Sequence, residues 1–516
     1  MSKPVLAAAT ALLLLGGCMV GPNFRSPGGI RSGSWFSSRP APPRPERSVP
    51  VAEPIDPNWW TLFHDPKLTA LERQVSASNL DVQTAAARVQ ESLAELGITG
   101  AGLYPTFNAN GSYERQKASN LGLFGLIGSG ASSSVSGAPT ANGANGALGN
   151  ATGGVKTPNL PPFDLFQYGF GASWMPDLWG EVRRSIESSN ASVLASDWAR
   201  RGALLTALAD VAGDYINLRG TQEQLRIARD NVRIAEQGLR LTQERATAGV
   251  TTDLDVANAA AQLRTTAAQI PSLEAQERQL INAIGLLLAL PPNALSRELS
   301  EPEPVPPVPP RVPVGFPSDL ARRRPDIEQA EAQLHAATAE IGVAVAAFYP
   351  SVTLSGSFGF QSLIFGNLFN WGARQYAAGP GVTIPIFEGG QLHYTLRLRG
   401  AQQREAAINY ERTVLTAWND VDNALTAYNR EQGRRDQLIQ AVAQNRRALS
   451  LAQSRYTEGV ADFLNVLTAE QNLLATQQQL ATSTTNVSAD LVSLYLALGG
   501  GWEPFEPRPH RGHQRQ

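Results

Sequence analysis

Arg245-Ala246-Thr247-Ala248-Gly249-Val250 and Arg455-Tyr456-Thr457-Glu458-Gly459-Val460 are two versions of one hexapeptide. Past them, Leu254, Asp255, Val256 and Leu263 match Leu464, Asn465, Val466 and Leu473, every pair 210 residues apart with no gap. A second echo lies upstream: Tyr104-Pro105 through Gly111-Ser112-Tyr113 matches Tyr349-Pro350 through Gly356-Ser357-Phe358. A chain of 516 residues made of two long, weakly similar halves reads as one architecture built by duplication, not as a string of unrelated domains.

Each hexapeptide closes a very long helical pattern, over 182–246 and 391–456. Leu225, Ala228, Val232, Ala235 and Leu239 step by three and four, as do Leu438, Val442, Asn445, Leu449, Ala452 and Tyr456. Some 65 residues at ~1.5 Å each run on the order of 100 Å, a length and a seam that indicate coiled coil. Glycine takes the left-handed conformation that ends a helix, so Gly249 and Gly459 are the expected stops. Return helices are expected over 252–288 and 462–498, and an earlier helix over 68–98.

Between the helical stretches the period changes to two. Phe107, Ala109, Gly111 and Tyr113 alternate with Thr106, Asn108, Asn110 and Ser112, and Val352, Leu354, Gly356, Phe358 and Phe360 alternate with small polar residues. A membrane-barrel strand between lipid and a watery lumen shows this pattern, and so does a soluble half-buried strand. Two more strands are expected over 168–174 and 376–384, leading into Pro176–Gly180 and Pro385–Gly390. The first copy carries an extra Gly/Ser/Ala/Asn-rich run at 118–160, read as a mobile extracellular loop.

Lys3, the apolar run from Val5 to Leu15, and Leu15-Gly16-Gly17-Cys18 form a bacterial lipoprotein signal. Cys18 is the only cysteine and has no disulfide partner, so it is the expected lipidation site. Met19 is not the aspartate that retains lipoproteins in the inner membrane, which favours the outer one. The resulting division is a signal peptide at 1–17, a lipid anchor and extended tether at 18–57, and a first repeat at 58–290. A Pro-rich linker at 291–317, a second repeat at 318–498 and a loosely draped tail at 499–516 follow. With 43 basic and 45 acidic residues, net −2, there is no electrostatic case for nucleic acid. The histidines at 64, 335, 393, 510 and 513 lack metal-ligand spacing, and no nucleophile elbow or P-loop is present. Neither catalysis nor a cofactor is expected, apart from covalent lipid on Cys18.

Four strands per chain cannot close a barrel, and open edges are not tolerated in lipid, so membrane strands require several copies. At this point the chain resembles the TolC-like outer-membrane factor family, in its lipoprotein branch. The residues that carry the resemblance are Cys18 with Gly21-Pro22-Asn23-Phe24, then Trp59-Trp60 through Phe63, Asp65-Pro66, and Asn79-Leu80-Asp81. Trp174 through Gly180, Arg323-Arg324-Pro325-Asp326-Ile327, Tyr349-Pro350 and Pro385 through Gly390 complete the series. The resemblance implies a membrane α+β fold, each repeat holding two transmembrane strands with long and short coiled-coil helices. It also implies a homotrimer whose twelve-strand β-barrel is continued by a periplasmic α-helical barrel.

The same resemblance implies function. Gly249, Val250, Thr251, Gly459, Val460 and Ala461, at the two hairpin tips, are implied to meet a periplasmic adaptor that serves an inner-membrane proton-driven pump. Tyr456 matches the family's gate tyrosine. Positions that carry pore-lining carboxylates in relatives are Asn465 and Thr468 here, and Asp462, Asp253 or Asp255 could stand in for them. The implied role is the passive exit duct of drug or small-toxicant efflux. Type I protein secretion with an ATP-driven transporter is the alternative, and a lipid-anchored coiled-coil scaffold without a pore a remote one.

Overall fold

The computed structural model describes residues 19–27, 48–117, 162–315 and 320–505. Cys18, most of the expected tether, the run at 118–160 and the end of the tail lie outside them. Strand β1 (Val49–Val51) precedes a 3-10 turn (Trp59–Phe63) and helices α1 (Pro66–Ser78) and α2 (Leu80–Ala101). Strands β2 (Thr106–Gln116) and β3 (Phe163–Trp174) lead to helices α3 (Glu181–Thr247), α4 (Asp253–Ala267) and α5 (Gln269–Leu287). After β4 (Arg311–Pro313), the second half supplies α6 (Pro325–Ala346), β5 (Ser351–Ser362), β6 (Arg374–Thr383), α7 (Gln391–Thr457) and α8 (Phe463–Leu498). None of the described helices is long and apolar enough to cross a membrane.

Two compact units result: Met1–Val20, Gly100–Arg183 and Val345–Leu392 form one, and Gly21–Thr99, Arg184–Ala344 and His393–Gln516 the other. The first holds an antiparallel sheet in the order β2-β3-β5-β6. Its register sorts the alternation of every strand onto the same two faces. Ala109, Phe170, Phe358 and Tyr376 form one cross-strand row, and Asn110, Gly169, Gly359 and Gln375 the next. β3 starts at Phe163, five residues before the expected 168. There it pairs with the far end of β2, where the Tyr113 hydroxyl donates to Asp164 at 3.0 Å. In the same unit Trp179 stacks on Tyr349 at 4.9 Å and donates to the Pro350 carbonyl at 2.7 Å, so two of the signature fragments meet. Val20 donates to the Trp179 carbonyl at 3.1 Å, which fixes the chain two residues after Cys18.

In the second unit Trp59 lies flat on Tyr495 at 5.4 Å, within a core that includes Leu208, Val211, Val421 and Leu491. The single helix expected over 68–98 is two. Asn79 leaves the helical conformation, and its Oδ1 accepts from the amides of Asp81 (2.9 Å) and Val82 (3.1 Å), capping α2. Asp65 caps α1 through the amides of Lys67 and Leu68, and its other oxygen accepts from the Tyr215 hydroxyl at 2.8 Å. Asp65→Ala should therefore cost about 1 kcal/mol, chiefly for the lost cap, because the Tyr215 hydroxyl keeps Arg219 at 3.1 Å and Glu303 at 3.4 Å as partners. A lower thermal midpoint of the detergent-solubilised protein would show it; an unchanged midpoint would refute it.

Other expectations need correction. The return helix over 252–288 breaks at Ala268, because Pro271 has no N–H to offer the carbonyl of Ala267. The tether is extended but its end is paired: β1 lies parallel to β4 of the Pro-rich linker, and Ser48 and Gln432 exchange two hydrogen bonds beside it. The tail is not draped at its start, since Phe505 stacks on Trp60 at 5.7 Å and Trp198 meets Trp502 edge-on at 5.5 Å. α6 begins at Pro325, whose missing N–H costs nothing at the first position of a helix. Arg324 beside it reaches Asp326, Asp420 and the Ala497 carbonyl, giving the charged signature a structural employment.

Candidate functional site: the hairpin tips

The duplicated hexapeptides build the same turn twice. After α3 the Val250 amide donates to the Arg245 carbonyl at 3.0 Å and Gly249 to Ala246 at 2.9 Å. After α7 the Val460 amide donates to Arg455 at 3.0 Å and Gly459 to Tyr456 at 3.0 Å. This pairing of bonds needs a left-handed residue just past the helix, and Gly249 and Gly459 have φ of +74° and +77°. Both tips present bare apolar side chains: Val250 and Leu254 are 60% and 67% exposed, Val460 and Leu464 61% and 63%. Paired exposed aliphatics on two equivalent tips suit contact with another protein surface.

The candidate gate residues separate into distinct employments. Tyr456 is buried in a small cluster with Val442, Leu449, Phe463 and Val466, its ring 5.5 Å from that of Phe463. Its hydroxyl has no hydrogen-bond partner among the described residues. Asp255 is occupied: it accepts from the Thr251 hydroxyl at 2.5 Å and forms a capping box with Thr252 at the start of α4. Asp253 is exposed. Asp462 precedes α8 with no side-chain cap bond, and Asp462, Asn465 and Thr468 follow one another at three-residue steps, all exposed. Thus one of the carboxylates read as pore-lining substitutes is tied into its own turn, whereas Asp462 is available.

Two groups escaped the sequence reading. Arg245 reaches from the first tip to the second, donating to the Thr457 carbonyl at 3.0 Å with its guanidinium 4.7 Å above the Tyr456 ring. Glu470 is 5% exposed on α8, its Oε1 without a partner among the described residues and 3.3 Å from where a Cβ on Gly238 of α3 would stand. Burial pushes this carboxyl up to about 7. The signal in the sequence is its position in the seam, at a three-residue step from both Leu467 and Leu473. Below it along the same pair of helices, Asn231 donates to Gln477 at 2.9 Å. Among the described residues no group of His, Asp or Glu is placed to hold a metal ion.

Residues 71–290 and 316–500 match the family described as outer membrane efflux protein. The chain belongs to this family. Among outer membrane efflux proteins and their relatives, nodulation protein T of Rhizobium leguminosarum bv. viciae is 32% identical over 502 residues, 96% of this chain and 93% of that protein. The probable efflux pump outer membrane protein TtgC of Pseudomonas putida is 31% identical over 515 residues, covering 97% of this chain and 96% of that one. The solved outer-membrane channel OprN superposes with a TM-score of 0.80 at 30% identity, over 94% of this chain and all of that one. The fold of this efflux protein is accordingly that of the TolC-like outer-membrane channels, mostly helical with a partial sheet, and its place is the outer membrane.

Proposed function

We propose that three copies of this chain form the outer-membrane exit duct of a tripartite efflux system, conducting drugs or small toxicants passively. The observation that carries the reading is the sheet. Its four strands share one continuous apolar face, and β2 and β6 are edge strands among the described residues. Open edges in lipid leave backbone groups unsatisfied, and three copies supply twelve strands, enough to close. Cys18, just ahead of the fixed Val20, carries covalent lipid. The duct needs no catalytic group, no cofactor and no nucleic acid.

The tips, with Val250, Thr251, Val460 and Ala461 around Gly249 and Gly459, receive a periplasmic adaptor coupled to a proton-driven inner-membrane pump. Tyr456 and the exposed Asp462, Asn465 and Thr468 narrow the periplasmic end, with Asp253 beside the first tip. Photo-crosslinkers placed at Val250 and Val460 in cells test this, with captured partners read by mass spectrometry. An adaptor and a proton-driven pump are the expected captures. An ATP-driven transporter in the pump's place would move the reading to protein secretion, and no capture from inserted protein would refute the tip assignment.

A further inference from the structure

We propose that the loop between β5 and β6, together with Arg374, forms a site for a bisphosphorylated, acylated glycolipid of the outer leaflet. The site rests on the reading of the sheet as part of a membrane barrel. Residues 363–373 make this connection, at the end of the sheet remote from the strand ends that join α2, α3, α6 and α7. A loop in water would be polar, yet this one contains no charged side chain. Leu363, Ile364, Phe365, Phe369 and Trp371 are each at least 58% exposed. Phe365 meets Phe166 edge-on at 5.4 Å, Phe369 lies against Tyr168 at 5.5 Å, and Trp371 meets Phe360 at 6.4 Å. Those three strand residues share the apolar face with the row Phe170, Phe358 and Tyr376. The loop is therefore folded onto the lipid side of the strands and not across the lumen.

The strands' own aromatics form the interfacial belt expected of any membrane barrel; the loop adds a place for a head group. Arg374 is the first residue of β6, in the row of Gly111, Tyr168 and Phe360, so its cation stands on the apolar face at the outer end. Its guanidinium lies 4.9 Å from the centre of the Trp371 ring, and Nη1 donates to the Trp371 carbonyl at 2.9 Å. Both partners are uncharged, so the cation is held in place with no carboxylate against it among the described residues. A long cationic side chain on a lipid-facing strand reaches the head groups, where the planar fork of arginine matches a phosphate. The other cation on that face of the strands is Arg115 of β2, 64% exposed and loosely paired with Asp164 at 3.7 Å. Because β2 and β6 are the two edges of the sheet, closure by copies brings Arg374 of one and Arg115 of the next to the same seam. Two cations above an apolar, ring-lined surface fit two phosphates on one multiply acylated head group, rather than the single phosphate of a phospholipid.

The test is native mass spectrometry of the purified full-length protein released from lipid nanodiscs that contain bisphosphoryl lipid A. Wild type should retain this lipid roughly tenfold more than its fully dephosphorylated form or phosphatidylglycerol. Arg374→Gln and Arg115→Gln should each remove most of that preference, and Arg447→Gln, at an exposed arginine of α7, should leave it intact. Equal retention of the two glycolipids by wild type, a comparison that needs no variant to fold, would overturn the site. So would equal retention of phosphatidylglycerol, which would mean general anionic-lipid binding, or an equal loss in Arg447→Gln, which would implicate net charge alone. The place of the loop is read separately, with an environment-sensitive fluorophore on Phe369→Cys or on Gln375→Cys, whose row lies on the opposite face. Spin-labelled lipid should quench the first and aqueous iodide the second; iodide quenching at position 369 would put the loop in water and overturn the site. A wild-type protein that does not assemble in the bilayer at all would instead remove the barrel reading.

Discussion

Gly359→Val should abolish the assembled, heat-modifiable protein in the outer membrane. Gly359 of β5 stands directly opposite Gly169 of β3. A Cβ added at Gly359 would lie 2.6 Å from the Tyr168 carbonyl oxygen and 3.0 Å from the Gly169 Cα, and one at Gly169 would lie 2.8 Å from the Phe358 carbonyl oxygen. These obstacles are backbone atoms in a hydrogen-bonded ladder and cannot rotate aside. The strands would have to part locally, at several kcal/mol for each backbone group left unpaired where water cannot replace its partner. Gly379→Ala on β6 is the matched control, because nothing lies within 4 Å of its added Cβ. Normal gel mobility and outer-membrane yield for Gly359→Val, beside a normal Gly379→Ala, would show that this pair of strands is not packed as described.

The same residues show how far the sequence could be read. Period two along β2 and β5 is local, so one apolar and one small polar face could be read from each strand alone. The pairing of β3 with β5 is not local: it joins residues nearly two hundred positions apart, and only the register reveals that two glycines of different repeats meet at one crossing. The tips follow the same division. Gly249 and Gly459 could be recognised because a helix stop requires left-handed backbone, which glycine supplies at no steric cost. Whether Asp255 lines a pore or caps a helix depended on Thr252, which the second tip replaces with Asp462. Tyr456 fitted the seam of its own helix, and no periodicity states that Arg245 of one hairpin lies over a ring of the other. The pairing of β1 with β4 was the least legible, since three-residue strands in Pro-rich sequence carry no period at all.

Glu470→Gln should abolish a part of the protein's alkaline instability on the order of 3 kcal/mol. Burial raises this carboxyl from its ordinary 4.5 to about 7 in the folded protein. The folded state therefore holds the proton more tightly than the unfolded chain. The contribution is fully present below about pH 4.5, is lost as pH rises towards about 7, and is flat above that. Asp214 and Asp490, both raised to about 6 mainly by burial, act with the same sign, so the wild-type profile alone cannot single out Glu470. The difference between wild type and Glu470→Gln can. Unfolding midpoints should coincide at about pH 4 and diverge by about pH 8, the variant being the more stable. Parallel curves would sink the assignment. Because Glu470 faces Gly238 across the seam between α8 and α3, its ionisation also weakens the contact between the two hairpins. The matching position in the first repeat is Ala260, so each chain carries this weakness once. Bilayer conductance should then rise from acid to neutral pH in the wild type and rise less in Glu470→Gln, whereas a seam loosened by general charge repulsion would leave the two profiles alike.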